Sequence, residues 1–207
     1  MESKVETRSE RGAGTREAIL FAGKDVFLEE GFDGASMDRI AERAGVTKRT
    51  VYAHFPSKHA LFTAAVSRGC ANVIGLMPRA GQLGDEPRAG LKQFMRTTRA
   101  LMLSPGCLRL ERAVAAVAER RPEFAAQVRE AFSAGEALLR EALDGWVSAG
   151  RLAPHDTAAA ARLLSDLAAQ APSMRGLLAD RAEDRLAEAA IDAAVTLYAD
   201  AHEVRSR

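Results

Sequence analysis

The 207-residue chain predicts an all-α fold: an N-terminal three-helix unit carrying a helix-turn-helix, followed by a larger helical domain. Three observations lead there. Alanine, leucine, arginine and glutamate dominate while aromatics are only 5%, and unbranched side chains lose little rotamer freedom in a helix. Apolar residues recur at helical spacing through most of the chain. Proline or glycine marks the breaks between the periodic runs. An apolar content of 47% is ample for a buried core.

Residues 1–14 are charged, contain glycine and lack periodicity, so they read as a flexible arm. From Thr15, a candidate N-cap, the residues Ile19, Ala22, Gly23, Val26 and Phe27 repeat at helical spacing until Gly31 stops the run. Ser36 can cap a second, short helix with Ile40, Ala41 and Ala44 facing inward and Gly45 ending it. Thr47 can cap a third to about Ala53, and Pro56-Ser57 opens a fourth extending to about Leu76. A glycine- and proline-bearing link, 78–87, follows. Longer helices are then predicted over 88–103, 106–120, 122–149, 156–171 and 184–202, with breaks at Ser104-Pro105, Pro122, Gly150 and Pro172. The domain boundaries drawn from this pattern are 1–14, 15–62 and 63–207.

Composition narrows the function. Cys70 and Cys107 stand far apart with no C-x-x-C pair, which implies neither a disulfide framework nor a zinc site. The N-terminus has no apolar signal region and no later run approaches a membrane span, so a cytoplasmic protein without a membrane partner is expected. Net charge is only +1, but its distribution is uneven. Between Glu42 and Asp85 there is no acid, whereas Arg43, Lys48, Arg49, Lys58, Arg68 and Arg79 all fall there. An anionic partner for that stretch follows.

The segment 36–55 places two short helices around a glycine turn, the arrangement that presents a second helix to the major groove. Gly45 permits the turn and Val46 plugs the angle. The exposed face of the third helix offers Thr47, Lys48, Arg49, Thr50 and Tyr52, with His54 and Lys58 just beyond it. All can donate hydrogen bonds to phosphates or base edges.

GVTKRTVYAHFPSKHALF, residues 45–62, resembles the signature of the TetR family of bacterial regulators. Upstream, Phe27, Gly31 and Phe32 match the family's Phe-x-x-x-Gly-Phe element, and Ile40 and Ala41 its Ile-Ala pair. The resemblance implies that Lys48, Tyr52, His54 and Lys58 hold the DNA backbone, that Thr47 caps the recognition helix over a phosphate, and that Arg49 and Thr50 face base edges. Ser36 joins this DNA-contacting set. For Arg49 a guanine contact and a further phosphate contact are both open; Tyr52 can contact a phosphate or belong to the small domain's core. Two departures are Gly23, where alanine is usual, and Ala35, where a hydroxyl residue is common.

The resemblance further implies that the rest of the chain senses a small-molecule effector and forms a homodimer; no cofactor is expected, and His54 and His59, five apart, miss the i, i+4 spacing of a metal pair. Phe94, Met95, Met102, Cys107, Phe132 and Trp146 are candidates to line a pocket for a lipophilic effector, with core packing as the alternative. Leu163, Leu164, Leu167, Ala168, Leu186, Ala190, Ala193, Ala194 and Leu197 are candidates for a four-helix dimer interface. A twofold dimer would set its recognition helices roughly 34–36 Å apart on a near-palindromic operator, with repression relieved by the effector. Two other readings compete. A thiol-based regulator would use Cys107 or Cys70, Cys107 standing near a helix N-terminus that favours thiolate. A helical-bundle enzyme lacks support: no histidine follows a glutamate by three residues, and nucleotide and hydrolase motifs are absent.

Overall fold

The computed structural model describes residues 8–118, 120–170 and 184–204, and among them the chain is helical, with one isolated bridge between Leu152 and Glu203. The helices are α1 (Arg8–Gly34), α2 (Met37–Ala44), α3 (Lys48–His54), α4 (Lys58–Leu76), α5 (Pro87–Met102), α6 (Pro105–Ala118), α7 (Pro122–Ser148), α8 (Thr157–Ser165) and α9 (Asp184–His202). A single 3-10 turn at Ala80–Gln82 precedes α5, and a π-helical turn at Asp166–Gln170 continues α8. The predicted break at Pro172 lies outside the described residues.

Two expectations change. The first helix begins at Arg8, not Thr15, because the polar arm carries no periodic signal yet contains nothing that forbids helix after Arg8. Lys58–Gln82 is long and apolar enough, by length and composition, to cross a membrane, which differs from the absence of such a run expected from the sequence. Its apolar positions Leu61, Phe62, Ala65 and Val66 are buried in the protein's own core.

The described residues form two compact units, one from 1–69 with 113–128, the other from 70–112 with 129–207. The first is organised around aromatic rings. Phe62 of α4 meets Phe27 of α1 at 4.9 Å, Phe32 at 5.1 Å and Phe124 of α7 at 4.6 Å between centroids. Phe124 is fully buried there, which is why 113–128 joins this unit although the sequence boundary at 62 left it out. Gly23 now has a reason: a Cβ at that position would sit 3.2 Å from the Leu61 side chain, so glycine lets α4 approach α1.

The second unit packs Leu91, Phe94 and Met95 of α5, Leu139, Leu143 and Trp146 of α7, Leu164 of α8, and Ile191 and Val195 of α9 into one core. Along its outside, Arg88, Lys92 and Arg96 of α5, one turn apart, pair with Asp200, Asp192 and Glu188 of α9 at 2.6–2.9 Å, and Arg88 also with Glu203 just past the end of α9 at 2.7 Å. The reversed order of partners makes α5 and α9 antiparallel.

Candidate nucleic-acid interface

Each boundary of the helix-turn-helix rests on a local bond. Ser36, in extended conformation (φ −123°, ψ 150°), accepts from the Arg39 N–H at 3.1 Å and opens α2. Gly45 closes it in the left-handed region (φ 66°, ψ 29°), where a side chain would be strained. Its N–H donates to the Glu42 carbonyl at 3.1 Å and that of Val46 to Ala41 at 3.0 Å. Thr47 accepts from the Thr50 N–H at 3.2 Å, and the two threonine hydroxyls bond each other at 2.8 Å. Ile40 and Ala41 from α2 and Val51 from α3 are buried, so hydrophobic burial fixes which face of α3 turns outward.

That outward face carries Thr47, Lys48, Arg49 and Tyr52, all exposed, with Thr50 and His54 half-buried. Tyr52 is 44% exposed, which places it on the surface and not in the core. Arg49 is exposed and makes no ion pair among the described residues. Lys48 is differently placed: its ammonium lies 2.9 Å from the Asp38 carboxylate of α2, and that hydrogen bond raises its pKa. Sequence reasoning missed Asp38, whose carboxylate any anion approaching Lys48 would have to displace or share. Acids likewise hold other cations here, with Arg39 on Glu30 and Glu42 and Arg43 on Glu29.

Lys58 donates to the carbonyls of Asp33 at 3.1 Å and Ala35 at 2.9 Å, with its ammonium 4.9 Å from the Phe32 ring centroid. It therefore ties down residues 33–35, where α1 gives way to α2, satisfying one carbonyl at the helix end and one just beyond it.

In the second unit the candidate pocket residues divide. Phe94, Met95 and Trp146 are members of the close-packed core, and the Trp146 indole donates to the Gly84 carbonyl at 2.9 Å. Met102 is also buried, 4.0 Å from the Cys107 sulfur, while Cys107 and Phe132 are half-buried. The thiolate that the competing redox reading needs at Cys107 is disfavoured: burial pushes its pKa up to about 12, with Glu111 and Cys70 adding to the rise, and burial also raises Cys70. Of the candidate dimer residues, Leu164 and Ala168 are taken up by the chain's own core. Leu163, Leu167 and Leu197 are exposed at 61%, 46% and 73%. Ala190 and Ala193 are exposed and Ala194 half-buried, and the side chain of Leu186 lies outside the described residues.

Comparison with known proteins agrees with this geometry. Residues 19–65 match the model of bacterial regulatory proteins of the tetR family, and residues 89–203 match that of the C-terminal domain of AefR-like transcriptional repressors. The regulator RutR of Escherichia coli K12 is 30% identical over 164 residues, 72% of this chain and 69% of RutR. The transcriptional activator FasR of Mycolicibacterium smegmatis is 36% identical over 83 residues, 40% of this chain, and the match spans 32% of FasR. Among solved structures, a TetR-family transcriptional regulator from Mesorhizobium loti has a TM-score of 0.85 at 27% identity, over 96% of this chain and 100% of that one. The flavonoid-responsive regulator FrrA has a TM-score of 0.75 at 28% identity, over 94% of this chain and all of that one.

Proposed function

This chain belongs to the TetR family of bacterial transcriptional regulators, and from that premise we propose that it is a homodimeric repressor that leaves a near-palindromic operator when a small lipophilic effector binds its C-terminal domain. The observation that carries the reading is the outward face of α3, where Thr47, Lys48, Arg49 and Tyr52 stand exposed on a helix held by caps at both ends. In this reading Lys48, Tyr52, His54 and Ser36 hold phosphates, while Arg49 and Thr50 read base edges. Lys58 acts by holding the backbone of 33–35.

The repressor role is supported by the match of residues 89–203 to AefR-like repressors. Exposed leucines at 163, 167 and 197 support a twofold helical interface, since apolar side chains of this size gain by leaving water. For the effector, we assign the half-buried Cys107, whose sulfur lies 4.0 Å from that of Met102, and the half-buried Phe132 as polarizable lining, and an apolar aromatic ligand suits them. The flavonoid response of FrrA is in keeping with that chemistry. Effector binding favours a dimer whose recognition-helix spacing no longer matches the operator, so DNA and effector select different states.

The test is fluorescence anisotropy on the duplex upstream of the protein's own gene, against a scrambled duplex, at about 50 and 200 mM salt. Selective binding that falls steeply with salt and disappears in a Lys48→Ala/Tyr52→Ala variant is expected. Equal affinity for both duplexes, and no fragment enriched from genomic DNA, would overturn the reading.

A further inference from the structure

The end of α1 gathers more positive charge than the helix-turn-helix accounts for. Asp33, exposed at 63%, is bonded through its carboxylate to the guanidinium of Arg120 at 3.1 Å, itself 71% exposed. Arg121 lies over the Phe32 ring at 4.8 Å, and the Lys58 ammonium lies 4.9 Å from the same centroid. Asp33, Val117, Arg120 and Arg121 border a recess of about 190 Å³. Arg120 alone bonds the Asp33 carboxylate, while Arg121 and Lys58 lie over the neighbouring Phe32 ring.

The position of this cluster gives it meaning. Asp33 is three residues from Ser36, whose side chain caps α2, and in a helix-turn-helix the first of the two helices crosses the DNA backbone. The bland reading is a strap that ties 120–121 to α1. An exposed ion pair is a weak strap, however, and this segment is already held by Phe124, fully buried between Phe32 and Phe62. The pair is thus redundant as a fastening, and a surplus of positive charge is left on the surface.

We propose that Arg120 and Arg121, brought beside the end of α1 by the start of α7, form a second phosphate-binding patch that grips the operator backbone next to the α2 N-terminus. This inference rests on the operator-binding reading above. Asp33 tempers the patch in the free protein and yields Arg120 to a DNA phosphate on binding. The patch carries no sequence information, so it strengthens specific and non-specific binding together.

Two substitutions in the full chain, Arg120→Gln and Asp33→Asn, separate the phosphate patch from the strap, because the two ideas predict opposite signs. Anisotropy titrations over a salt series are made on operator and scrambled duplexes, with a thermal melt of each variant. Arg120→Gln is expected to weaken both complexes and to reduce the salt slope by about 0.9 for the lost phosphate contact. Asp33→Asn, which frees Arg120 and removes an acid from the DNA side, is expected to tighten both. A strap would make Asp33→Asn weaken binding along with Arg120→Gln, and that result overturns the proposal, as does an unchanged salt slope in Arg120→Gln. If wild type binds its operator selectively and Arg120→Gln matches it, the patch fails and the operator reading stands. If wild type shows no selectivity, the operator reading fails and takes the patch with it.

Discussion

Replacing Gly90 by alanine tests the packing of the second unit at its tightest point. Gly90 is buried on α5, and a Cβ there would lie 2.5 Å from Trp146 Cζ2, 2.7 Å from Cη2 and 2.7 Å from the Leu83 carbonyl oxygen. Carbon atoms prefer separations of about 3.5–4.0 Å, so the added methyl intrudes by about 1 Å. The oxygen belongs to the backbone and cannot swing away. The indole is held by its own hydrogen bond to Gly84. Overpacking costs about 1–3 kcal/mol, and losing the indole bond adds about 1 kcal/mol. Alanine's better helix propensity offsets about 1 kcal/mol. The net is about 2 kcal/mol of destabilisation, which for a chain of this size lowers Tm by about 4–8 °C. Because Trp146 is the chain's single tryptophan, the same melt followed by its fluorescence reports the site directly. Combining Gly90→Ala with Trp146→Phe, which removes the two clashing carbons, should recover part of the loss relative to the two single variants. A Tm for Gly90→Ala equal to or above wild type, as helix propensity alone would give, refutes the reasoning.

Two further outcomes follow from the titratable groups. With its pKa pushed up to about 12, Cys107 holds almost no thiolate near neutral pH, so at pH 8 Ellman's reagent should modify native protein at least about tenfold more slowly than urea-unfolded protein; equal rates would restore the thiol-sensing reading. His202 stacks on His155 at 4.2 Å, and burial followed by that neighbour lowers its pKa. The unfolded chain then binds this proton more readily than the native one. Stability is complete above the unfolded value of about 6.5 and is lost as pH falls from there towards the depressed native value. Melting at pH 7.5 and 5.5 should therefore show a larger drop for wild type than for His202→Phe, which keeps the stack without the charge; parallel drops would exclude His202.

The boundaries of α2 and α3 were legible because capping is local: Ser36, Gly45 and Thr47 each act within three or four residues of themselves. The exposed face of α3 was legible for the same reason, since the burial of Val51 and the spacing of a short helix decide it. The start of α1 was not, because residues 8–14 are polar and show no periodic apolar stripe. Nor could periodicity separate core from cavity. Phe94, Met95 and Trp146 carry the pattern that a pocket lining would show, and only the partners they meet on α7, α8 and α9 assign them to the core. The basic ladder of α5 at 88, 92 and 96 is visible in the sequence, but its acidic partners lie about a hundred residues away, and their register is set by helix packing.

Charge was the least legible quantity, for a physical reason. A linear count finds no acid between Glu42 and Asp85 and so makes the recognition helix purely cationic. Folding brings Asp38 across from α2 onto Lys48, and Asp33 onto Arg120 from 87 residues away. Each basic group that could meet DNA must be considered with the acid that holds it beforehand. A phosphate that takes over such a donor must break one charge-assisted hydrogen bond to form another, so the acid lowers the gain from each contact. On the proposed reading Asp38 and Asp33 therefore lower affinity for operator and for other DNA by a similar amount, and selectivity is left to the base contacts proposed for Arg49 and Thr50.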